Sequence, residues 1–543
     1  MVVALTGRTG SGCTSIADIL ATASFSDLNL PEIENSPWSQ EGRKTKIVNK
    51  WLREKWTAFL RISVSDIILL IALSDQDNST RECLKKGVEI KKALELDYIF
   101  TENFAIASKT INTLSLLRTA TDSDKNDTYE FIFKRLPSIA NNLRQILNSK
   151  DKSSYIAAFQ KIGDNIRRSG SSSSDKISPS ALLLIPDLIS QILKLHRIKF
   201  PVSSNNKVHV VIDALRHPFE IRYLRERIAR FYLIAVTTND NDRKSRLIAQ
   251  NYTIDDITKL DEKEYPTKNT DGYSAFISQN IQACLALADI YISNLGRGHK
   301  DLKATTQQLM RYIALMQHPG LVNPTSVERC MQVAFSARVN SGCVSRQVGA
   351  VVTNSNFSIQ AIGWNDVPKG QVPCLLRNVD DVYARHDVIA YSEFELEDED
   401  FRSLIKEKLS NNSVLKGRNQ CYCFKDIYNS QKSTKNQVHT RSLHAEENAF
   451  LQIAKHGGPP VDGGNLFSTA SPCELCAKKA FQLGIKNIYY IDPYPGISIS
   501  HVLASGNNRP KIMLFSGAIG RAYHDLYDPI IPFKDEIARL SVG

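Results

Sequence analysis

Two short segments in the last third of the chain carry the residue types of a metal centre. His444 and Glu446 lie in LHAEENAF, and Cys473 and Cys476 follow in SPCELC. Both segments are typical of a helix start, and residues three apart share one helix face, so both thiolates can point to one ion. A helix N-terminus also lowers the pKa of a thiol, which favours its metal-binding form. We therefore predict a zinc ion held by His444, Cys473 and Cys476.

Three protein ligands leave one tetrahedral position of a zinc ion open for water, as in catalytic zinc sites. Zinc lowers the pKa of such a water to roughly 7. Glu446 is then the general acid and base that moves protons between the water, a ring nitrogen and departing ammonia. The H-x-E…P-C-x-x-C pattern is similar to the signature of zinc-dependent nucleobase deaminases. The alternative is a structural zinc site, which usually has four protein ligands.

The sequence around these segments resembles the deoxycytidylate deaminase family over about residues 326–540. The resemblance is carried by SRQVGAVVT, AIGWNDVPKG, HAEENA and PCELCAKKAFQLGIKNIYYID. It implies a cytidine deaminase-like αβα domain and a free deoxycytidine nucleotide as substrate. It also implies that Asn365 contacts the sugar–phosphate of the substrate and that Tyr494 lies on the substrate side of the site.

Some features of the C-terminal domain leave alternatives open. Four basic residues either hold a triphosphate or lie on the solvated surface: Lys369, Arg377, Arg418 and Lys425. The choice between dCMP and dCTP as substrate therefore stays open. A second, structural zinc site is a further prediction, with these ligands: Cys374, Cys421, Cys423 and His439.

A glycine-rich turn at the start of the chain has the character of a phosphate-binding loop. GRTGSGCT matches G-x-x-x-x-G-K-[ST] except that Cys13 stands at the lysine position. Backbone N–H groups at a helix N-terminus can still hold phosphate. The lysine cation that follows the moving phosphoryl group is missing, so we predict nucleotide binding, with Mg²⁺, without efficient kinase chemistry. The predicted binding residues are Gly7, Gly10, Ser11, Gly12, Cys13, Thr14 and Asp213.

Strands alternate with helices along the first half of the chain. We predict strands at 2–6, 66–73, 208–212 and 232–236 and a helix at 216–230, a pattern typical of a parallel sheet with helices on both faces. Four segments resemble nucleoside-monophosphate kinases: FQKIGDNIR, VVIDALRHPFE, DRKSRL and ADIYISN. The resemblance implies a P-loop kinase-like domain with Arg243 and Arg246 in a lid. The alternative is a kinase-like fold kept only as a scaffold.

The predicted organisation has three parts. Residues 1–300 form the P-loop kinase-like α/β domain, 301–325 a helical connector and 326–543 the deaminase domain. Two stretches, 119–128 and 169–178, have the composition of loops. In the second domain, helices are predicted at 326–341, 443–455 and 473–484, and strands at 347–353, 357–363, 465–469 and 487–491. A long polar insert at about 378–440 lies between the strand predicted at 357–363 and the helix predicted at 443–455.

This domain combination resembles the bacterial antiphage deoxycytidine-nucleotide deaminases. That family implies conversion of dCTP, and often dCMP, to uracil nucleotides, which starves phage replication. Three alternatives stay open. The first is a housekeeping dCMP deaminase for thymidylate supply, and the second is a deaminase of tRNA or single-stranded DNA. The third is a regulator whose first domain senses a nucleotide or RNA.

Composition sets broader limits. The chain has 543 residues, 42% hydrophobic and 23% charged, which is ordinary for a globular protein of two or three domains. Its net charge of +11 indicates either polyanionic partners or a basic solvated surface. Ten cysteines without regular spacing do not form a secreted disulfide framework. The longest apolar run, Ile67 to Leu73, is too short to span a membrane. We expect a cytoplasmic homo-oligomer without a signal peptide.

Overall fold

The computed structural model describes residues 1–33, 38–75, 78–86, 88–149, 153–174, 176–201, 208–264, 274–294, 302–409, 417–434, 436–492 and 497–541. It divides into two compact units, one of Met1–Asn323 with His524–Gly543 and one of Pro324–Tyr523. Among the described residues, no helix combines the length and the apolar character that crossing a membrane requires.

The first unit contains a parallel sheet. Its strands are β1 (Val2–Thr6), β2 (Leu60–Ser63), β3 (Val210–Asp213), β4 (Phe231–Thr237) and β5 (Ile290–Ser293), in the order β5-β4-β1-β3-β2. Val2 pairs with Val210 on one side and with Phe231 on the other. All five residues of β1 are buried, as expected for a central strand covered on both faces. Parallel strands end at one edge of the sheet, so the glycine-rich loop after β1 and Asp213 at the end of β3 lie at that edge.

Helices account for most of the rest of the first unit. They are α1 (Cys13–Ala21), α2 (Gln40–Lys55), α3 (Val64–Ser74), α4 (Ser79–Lys85), α5 (Ile90–Ser115), α6 (Asp122–Glu130), α7 (Leu136–Leu147), α8 (Ser154–Ser169), α9 (Leu184–Lys199), α10 (Pro218–Arg227), α11 (Asp240–Ala249), α12 (Ile254–Glu264), α13 (Ser274–Ile277), α14 (Ile281–Ala286) and α15 (Lys303–Gln317). The strands predicted at 2–6, 208–212 and 232–236 and the helix predicted at 216–230 are present within a few residues of their predicted bounds.

Two of the predicted segments in this unit are wrong. The run at 66–73 is not a strand but most of α3, whereas the neighbouring strand is β2. Helix α3 is surrounded by α5, α7, α8 and α9, and a helix in such a position is apolar on all sides. Its sequence pattern therefore cannot be distinguished by periodicity from that of a buried strand. The stretch 119–128 is not a loop but contains most of α6. Thr121 caps this helix by accepting a hydrogen bond from the Asp124 backbone N–H at 3.1 Å.

The second unit contains a mixed five-stranded sheet. Its strands are β6 (Gly349–Thr353), β7 (Ile359–Trp364), β8 (Asn465–Ala470), β9 (Asn487–Asp492) and β10 (Lys511–Leu514), in the order β10-β9-β8-β6-β7, and β11 (Gly517–Ala518) follows. Strand β6 is antiparallel to both of its neighbours, and β8, β9 and β10 are parallel. The remaining helices of this unit are α16 (Ser326–Ala337), α17 (Val379–Ala384), α18 (Glu393–Glu397), α19 (Glu399–Leu409), α20 (Phe424–Gln431), α21 (Ala445–His456) and α22 (Glu474–Gln482). Two more helices follow along the chain, α23 (Gly520–Tyr527) and α24 (Phe533–Leu540), and α24 belongs to the first unit.

Two glycines allow helices to approach the second sheet closely. A Cβ at Gly349 would lie 2.0 Å from the carbonyl oxygen of Ala334 in α16, and one at Gly363 would lie 2.3 Å from that of Ala445 in α21. Gly363 pairs with Ala350, the neighbour of Gly349, and adjacent residues of a strand face opposite sides. Helices α16 and α21 therefore cover opposite faces, which gives the αβα layering of this unit.

Candidate active site

Three metal-binding side chains meet at the starts of two helices in the second unit. His444 is the N-cap residue of α21, Cys473 is the N-cap residue of α22, and Cys476 lies in the first turn of α22. The Nδ1 atom of His444 lies 3.2 Å from the Sγ atom of Cys473 and 3.5 Å from that of Cys476. Zinc–sulfur bonds of about 2.3 Å and zinc–nitrogen bonds of about 2.0–2.1 Å place tetrahedral ligand atoms at similar separations. The donor set and its spacing therefore fit a zinc ion.

No second group of this kind occurs in the described part of the chain. Within the described residues, the three His, Cys, Asp or Glu ligand atoms that lie within 4.8 Å of one another are those of His444, Cys473 and Cys476. The four residues predicted for a second zinc site are all described and do not form such a group, although burial and, to a smaller extent, the Cys374 thiol raise the pKa of Cys423 to about 11. The His439 ring packs against Tyr428, with 4.6 Å between ring centroids. The second zinc site stays a prediction.

The protonation states of the three predicted ligands favour the binding of a metal cation. Hydrogen bonds from Cys476 and then from His444 lower the pKa of Cys473 to about 4. The pKa of His444 is raised, mainly by its hydrogen bond with Cys473. The pKa of Cys476 is raised because its thiol is hydrogen-bonded to Cys473 and is buried. Negative charge thus concentrates on Cys473, and a metal ion would replace the shared protons.

Glu446 is the second residue of α21 and is almost completely buried. The Ser468 hydroxyl, on β8, donates a hydrogen bond of 2.8 Å to its Oε1 atom and so fixes the orientation of the carboxylate. Burial raises the pKa of Glu446, whereas the bond from Ser468 opposes that shift. A raised pKa suits a group that both accepts and donates protons near neutral pH. Ser468 was not predicted, although a serine inside the buried segment LFSTA is a signal that could have identified it.

Asn365 supports the backbone next to this centre. Its Oδ1 atom accepts a hydrogen bond from the Val348 N–H at 2.7 Å, and its Nδ2 atom donates one to the Arg346 carbonyl at 2.7 Å. The Arg346 guanidinium in turn pairs with Asp492 at the end of β9. The predicted contact of Asn365 with the substrate stays a prediction, and Tyr494 lies outside the described residues.

The four basic residues considered for a triphosphate lie in different environments. Lys369 and Arg418 are exposed, and Lys425 is half-buried with its ammonium group 3.0 Å from Oε1 of Gln437. Arg377 is 1% exposed and forms an ion pair with Glu395 in the insert. Since its charge is satisfied inside the core of the insert, Arg377 is neither a surface residue nor a phosphate ligand in this structure.

The predicted phosphate loop lines a cavity of about 630 Å³ in the first unit. Gly12, at φ +105°, is the N-cap residue of α1, and Thr14 is exposed. Burial raises the pKa of Cys13 to about 12, so the thiol is neutral and gives no cation in place of lysine. Asp213 lines the same cavity and accepts a hydrogen bond of 2.6 Å from Arg61.

The loop is held by side chains that the motif does not contain. Glu264 accepts hydrogen bonds from the backbone and hydroxyl of Thr9, and the Asn294 amide donates to the Ser11 carbonyl at 2.8 Å. Arg243 is 1% exposed, donates to the Thr9 carbonyl and pairs with Asp261. Arg246 donates to the Asn294 carbonyl at 2.8 Å. Both arginines predicted for a lid are therefore buried beside the loop. Asn294 lies in ADIYISN, but no local pattern marks Glu264.

Comparison with known proteins agrees with the centre in the second unit. Residues 324–492 match the family described as "Cytidine and deoxycytidylate deaminase zinc-binding region". The deoxycytidylate deaminase of Enterobacteria phage T2 is 30% identical over 174 residues, which cover 30% of this chain and 78% of the phage protein. ComE operon protein 2 of Bacillus subtilis is 34% identical over 98 residues, 15% of this chain, so the chain spans about half (51%) of that relative. A solved dCMP deaminase of cyanophage S-TIM5, in complex with dCMP and dUMP, is 24% identical with a TM-score of 0.22, covering 35% of this chain and 95% of that chain.

Removal of one thiolate is expected to remove the metal. Cys473→Ala should lose zinc because two ligands do not hold the ion at the affinity of three. Zinc per chain, measured by mass spectrometry after dialysis, should be close to one for the parent protein and near zero for the variant. Cys343→Ala, a half-buried cysteine of the same unit outside the ligand group, is the matched control and should keep its zinc. Full zinc in Cys473→Ala would contradict the ligand assignment.

Proposed function

The chain belongs to the cytidine and deoxycytidylate deaminase family, and on that premise we propose that it deaminates free deoxycytidine nucleotides by hydrolysis. The substrates in this proposal are dCMP and dCTP, and the products are the corresponding uracil nucleotides and ammonia. The observation that carries the proposal is the meeting of His444, Cys473 and Cys476 beside the buried carboxylate of Glu446.

The chemistry assigned to the protein's own residues is proton transfer. Zinc, when bound by three protein ligands, keeps one coordination position open and lowers the pKa of a water molecule to roughly 7. The Glu446 carboxylate takes a proton from the attacking water and delivers it to N3 of the cytosine ring. After water adds to C4, the same carboxyl group passes the second proton to the amino group, the C4–N bond breaks and ammonia leaves. Ser468 keeps the carboxylate in place through both transfers.

We assign the first unit a regulatory role. In this proposal residues 1–300 bind a nucleotide with Mg²⁺ at Thr14 and Asp213, 301–325 form a connector, and 326–543 form the deaminase domain. The cavity beside the loop supports binding, and the neutral Cys13 thiol argues against phosphoryl transfer, which needs a cation on the moving group. Control of deamination requires that the nucleotide bind two states of the protein with different affinity.

The biological role that we propose is depletion of dCTP during phage infection. Its support is the combination of a glycine-loop unit with a zinc deaminase unit, which resembles antiphage deaminases. A housekeeping role in thymidylate supply requires dCMP alone as substrate, and the two roles therefore differ in the number of phosphates that the enzyme accepts.

Replacement of the proposed general acid–base group tests the mechanism. Glu446→Gln keeps the size of the side chain but cannot exchange protons, so kcat should fall by about 10²–10⁴-fold while zinc content stays unchanged. The matched control is Glu447→Gln, since Glu447 is the neighbouring carboxylate, pairs with Lys479 and, as glutamine, keeps an oxygen that can accept the hydrogen bond from the His444 backbone N–H. That variant should retain most turnover. A loss of zinc from Glu446→Gln would identify Glu446 as a ligand and overturn the mechanism.

Substrate preference tests the proposed substrate class. Ammonia release should be faster with dCMP or dCTP than with cytosine in a single-stranded oligonucleotide or in tRNA. CMP and CTP, assayed at the same concentrations, show whether the enzyme distinguishes ribose from deoxyribose. The ratio of the turnover rates with dCTP and dCMP distinguishes the defence role from thymidylate supply. Faster deamination of an oligonucleotide than of any mononucleotide would contradict the proposal.

Substitution in the loop tests control by the first unit. A Cβ at Gly12 would lie 2.4 Å from the Asn294 Nδ2 atom, so Gly12→Ala should disturb the loop and weaken nucleotide binding by about tenfold or more. Gly170→Ala is the matched control, because Gly170 has a similar φ of +85° with its nearest neighbour 3.8 Å away. Deamination rates should change with Gly12→Ala and not with Gly170→Ala. Lost nucleotide binding with unchanged deamination would refute control, and ATP-dependent phosphorylation of a nucleotide by the parent protein would refute the loss of kinase chemistry.

A further inference from the structure

We infer that the cavity beside the glycine-rich loop is a binding site for one nucleoside 5′-phosphate whose base is recognised by the side-chain amides of Gln160 and Gln279. This inference rests on the proposed nucleotide binding by the first unit and adds the part of the ligand that is recognised away from the loop. Neither residue belongs to the loop motif, and both line the cavity.

The cavity wall is strongly cationic. Among the described residues that line it, Asp213 is the single carboxylate and six are arginines: Arg8, Arg61, Arg144, Arg167, Arg216 and Arg246. Several of these guanidinium groups are paired with carboxylates, as Arg167 is with Glu220 and Arg216 with Glu264. An arginine-rich wall next to backbone N–H groups at a helix start is suited to an anionic ligand.

Arg144 differs from the other arginines that line the cavity. It is exposed and lies over the Tyr155 ring, 4.8 Å from the centroid. Within the described part of the chain, no carboxylate lies within salt-bridge distance of it. Its guanidinium group can therefore contact a phosphate oxygen without breaking an existing ion pair.

Two buried glutamines that line the cavity have the chemistry of a nucleobase site. Gln160 is 4% exposed and Gln279 is 6% exposed. Among the residues that the structure describes, the Nε2 atom of Gln160 and the Oε1 atom of Gln279 have no hydrogen-bond partner. Buried amide atoms without partners are costly, so a ligand that supplies a donor and an acceptor gains affinity there. The edge of a nucleobase carries both.

Aromatic rings also line the cavity. Phe159, the neighbour of Gln160 in the sequence of α8, stacks with Tyr155 at 4.2 Å between centroids, and both rings line the cavity. A cavity with flat apolar surfaces and amide groups suits a base, which has apolar faces and a polar edge. A polyphosphate would use the arginines but neither the amides nor the rings. The volume of about 630 Å³ is sufficient for one nucleotide.

Isothermal titration calorimetry with the zinc-bound chain of 543 residues tests the inference. The probes are ATP, GTP, dTTP and UTP, with inorganic tripolyphosphate as the ligand without a base, each with and without Mg²⁺. None of them contains cytosine, so the deaminase centre cannot consume it. At least one nucleotide should bind at one site per chain, about tenfold or more tighter than tripolyphosphate.

Two kinds of variant separate base recognition from phosphate recognition. Gln160→Leu should weaken binding of that nucleotide by about tenfold and leave tripolyphosphate binding unchanged, and Gln279→Leu should act in the same way. Arg144→Ala should weaken the binding of both the nucleotide and tripolyphosphate. The matched controls are Gln145→Leu, an exposed glutamine of α7, and Arg135→Ala, an exposed arginine over the Phe131 ring, and neither should change binding. Melting temperatures without ligand identify any variant that does not fold, and the second glutamine variant then replaces it.

Each outcome has a separate meaning. If nucleotides and tripolyphosphate bind equally, or if both glutamine variants bind nucleotides like the parent protein, recognition of the base is overturned. Binding of no probe at all would overturn the proposed nucleotide binding itself. Nucleotide binding that is insensitive to Arg144→Ala and to both glutamine variants would place the ligand elsewhere and overturn the inference as well.

Discussion

The second unit depends on the meeting of two helix N-termini at one point. Helix α21 brings His444 and helix α22 brings both cysteines, and the ligand atoms come within 3.5 Å of the His444 Nδ1 atom. This geometry requires α21 to lie very close to the sheet, where Gly363 leaves no Cβ between the strand and the helix backbone. Packing of the sheet and the position of the metal ligands are therefore coupled, since any side chain at Gly363 would displace the helix that carries His444.

The same helix carries the proposed general acid–base residue. Glu446 projects from the first turn of α21 into the buried space beside β8, where Ser468 holds it. Burial keeps its pKa raised, and the hydrogen bond from Ser468 keeps the charged form accessible. Helix α21 thus positions both a predicted metal ligand, His444, and the proposed proton carrier, Glu446. Preorganisation of this kind avoids rearrangement during the reaction.

The proposed phosphate site of the first unit relies on similar physics for an anion. Its loop keeps the glycines and the helix start, while the lysine position holds a neutral, buried thiol. Glu264, Arg243 and Asn294, distant in sequence, hold the loop in shape. A loop held this firmly can bind phosphate through its backbone, and the arginine-rich wall supplies the positive charge that the loop lacks.

Local spacing in the sequence predicted the group of metal-binding side chains, the proposed general acid–base residue, the glycine-rich loop and most strands, because i, i+3 spacing and buried apolar runs act over a few residues. Only the tertiary structure decided that 66–73 is a helix. A short run that is apolar on all sides fits a buried strand or a buried helix, and the helices that surround this run decide between the two. It also decided that Arg377 is a buried partner of Glu395 and that Ser468 reaches Glu446. Those outcomes depend on distances between residues far apart in the chain, which spacing along the sequence does not encode.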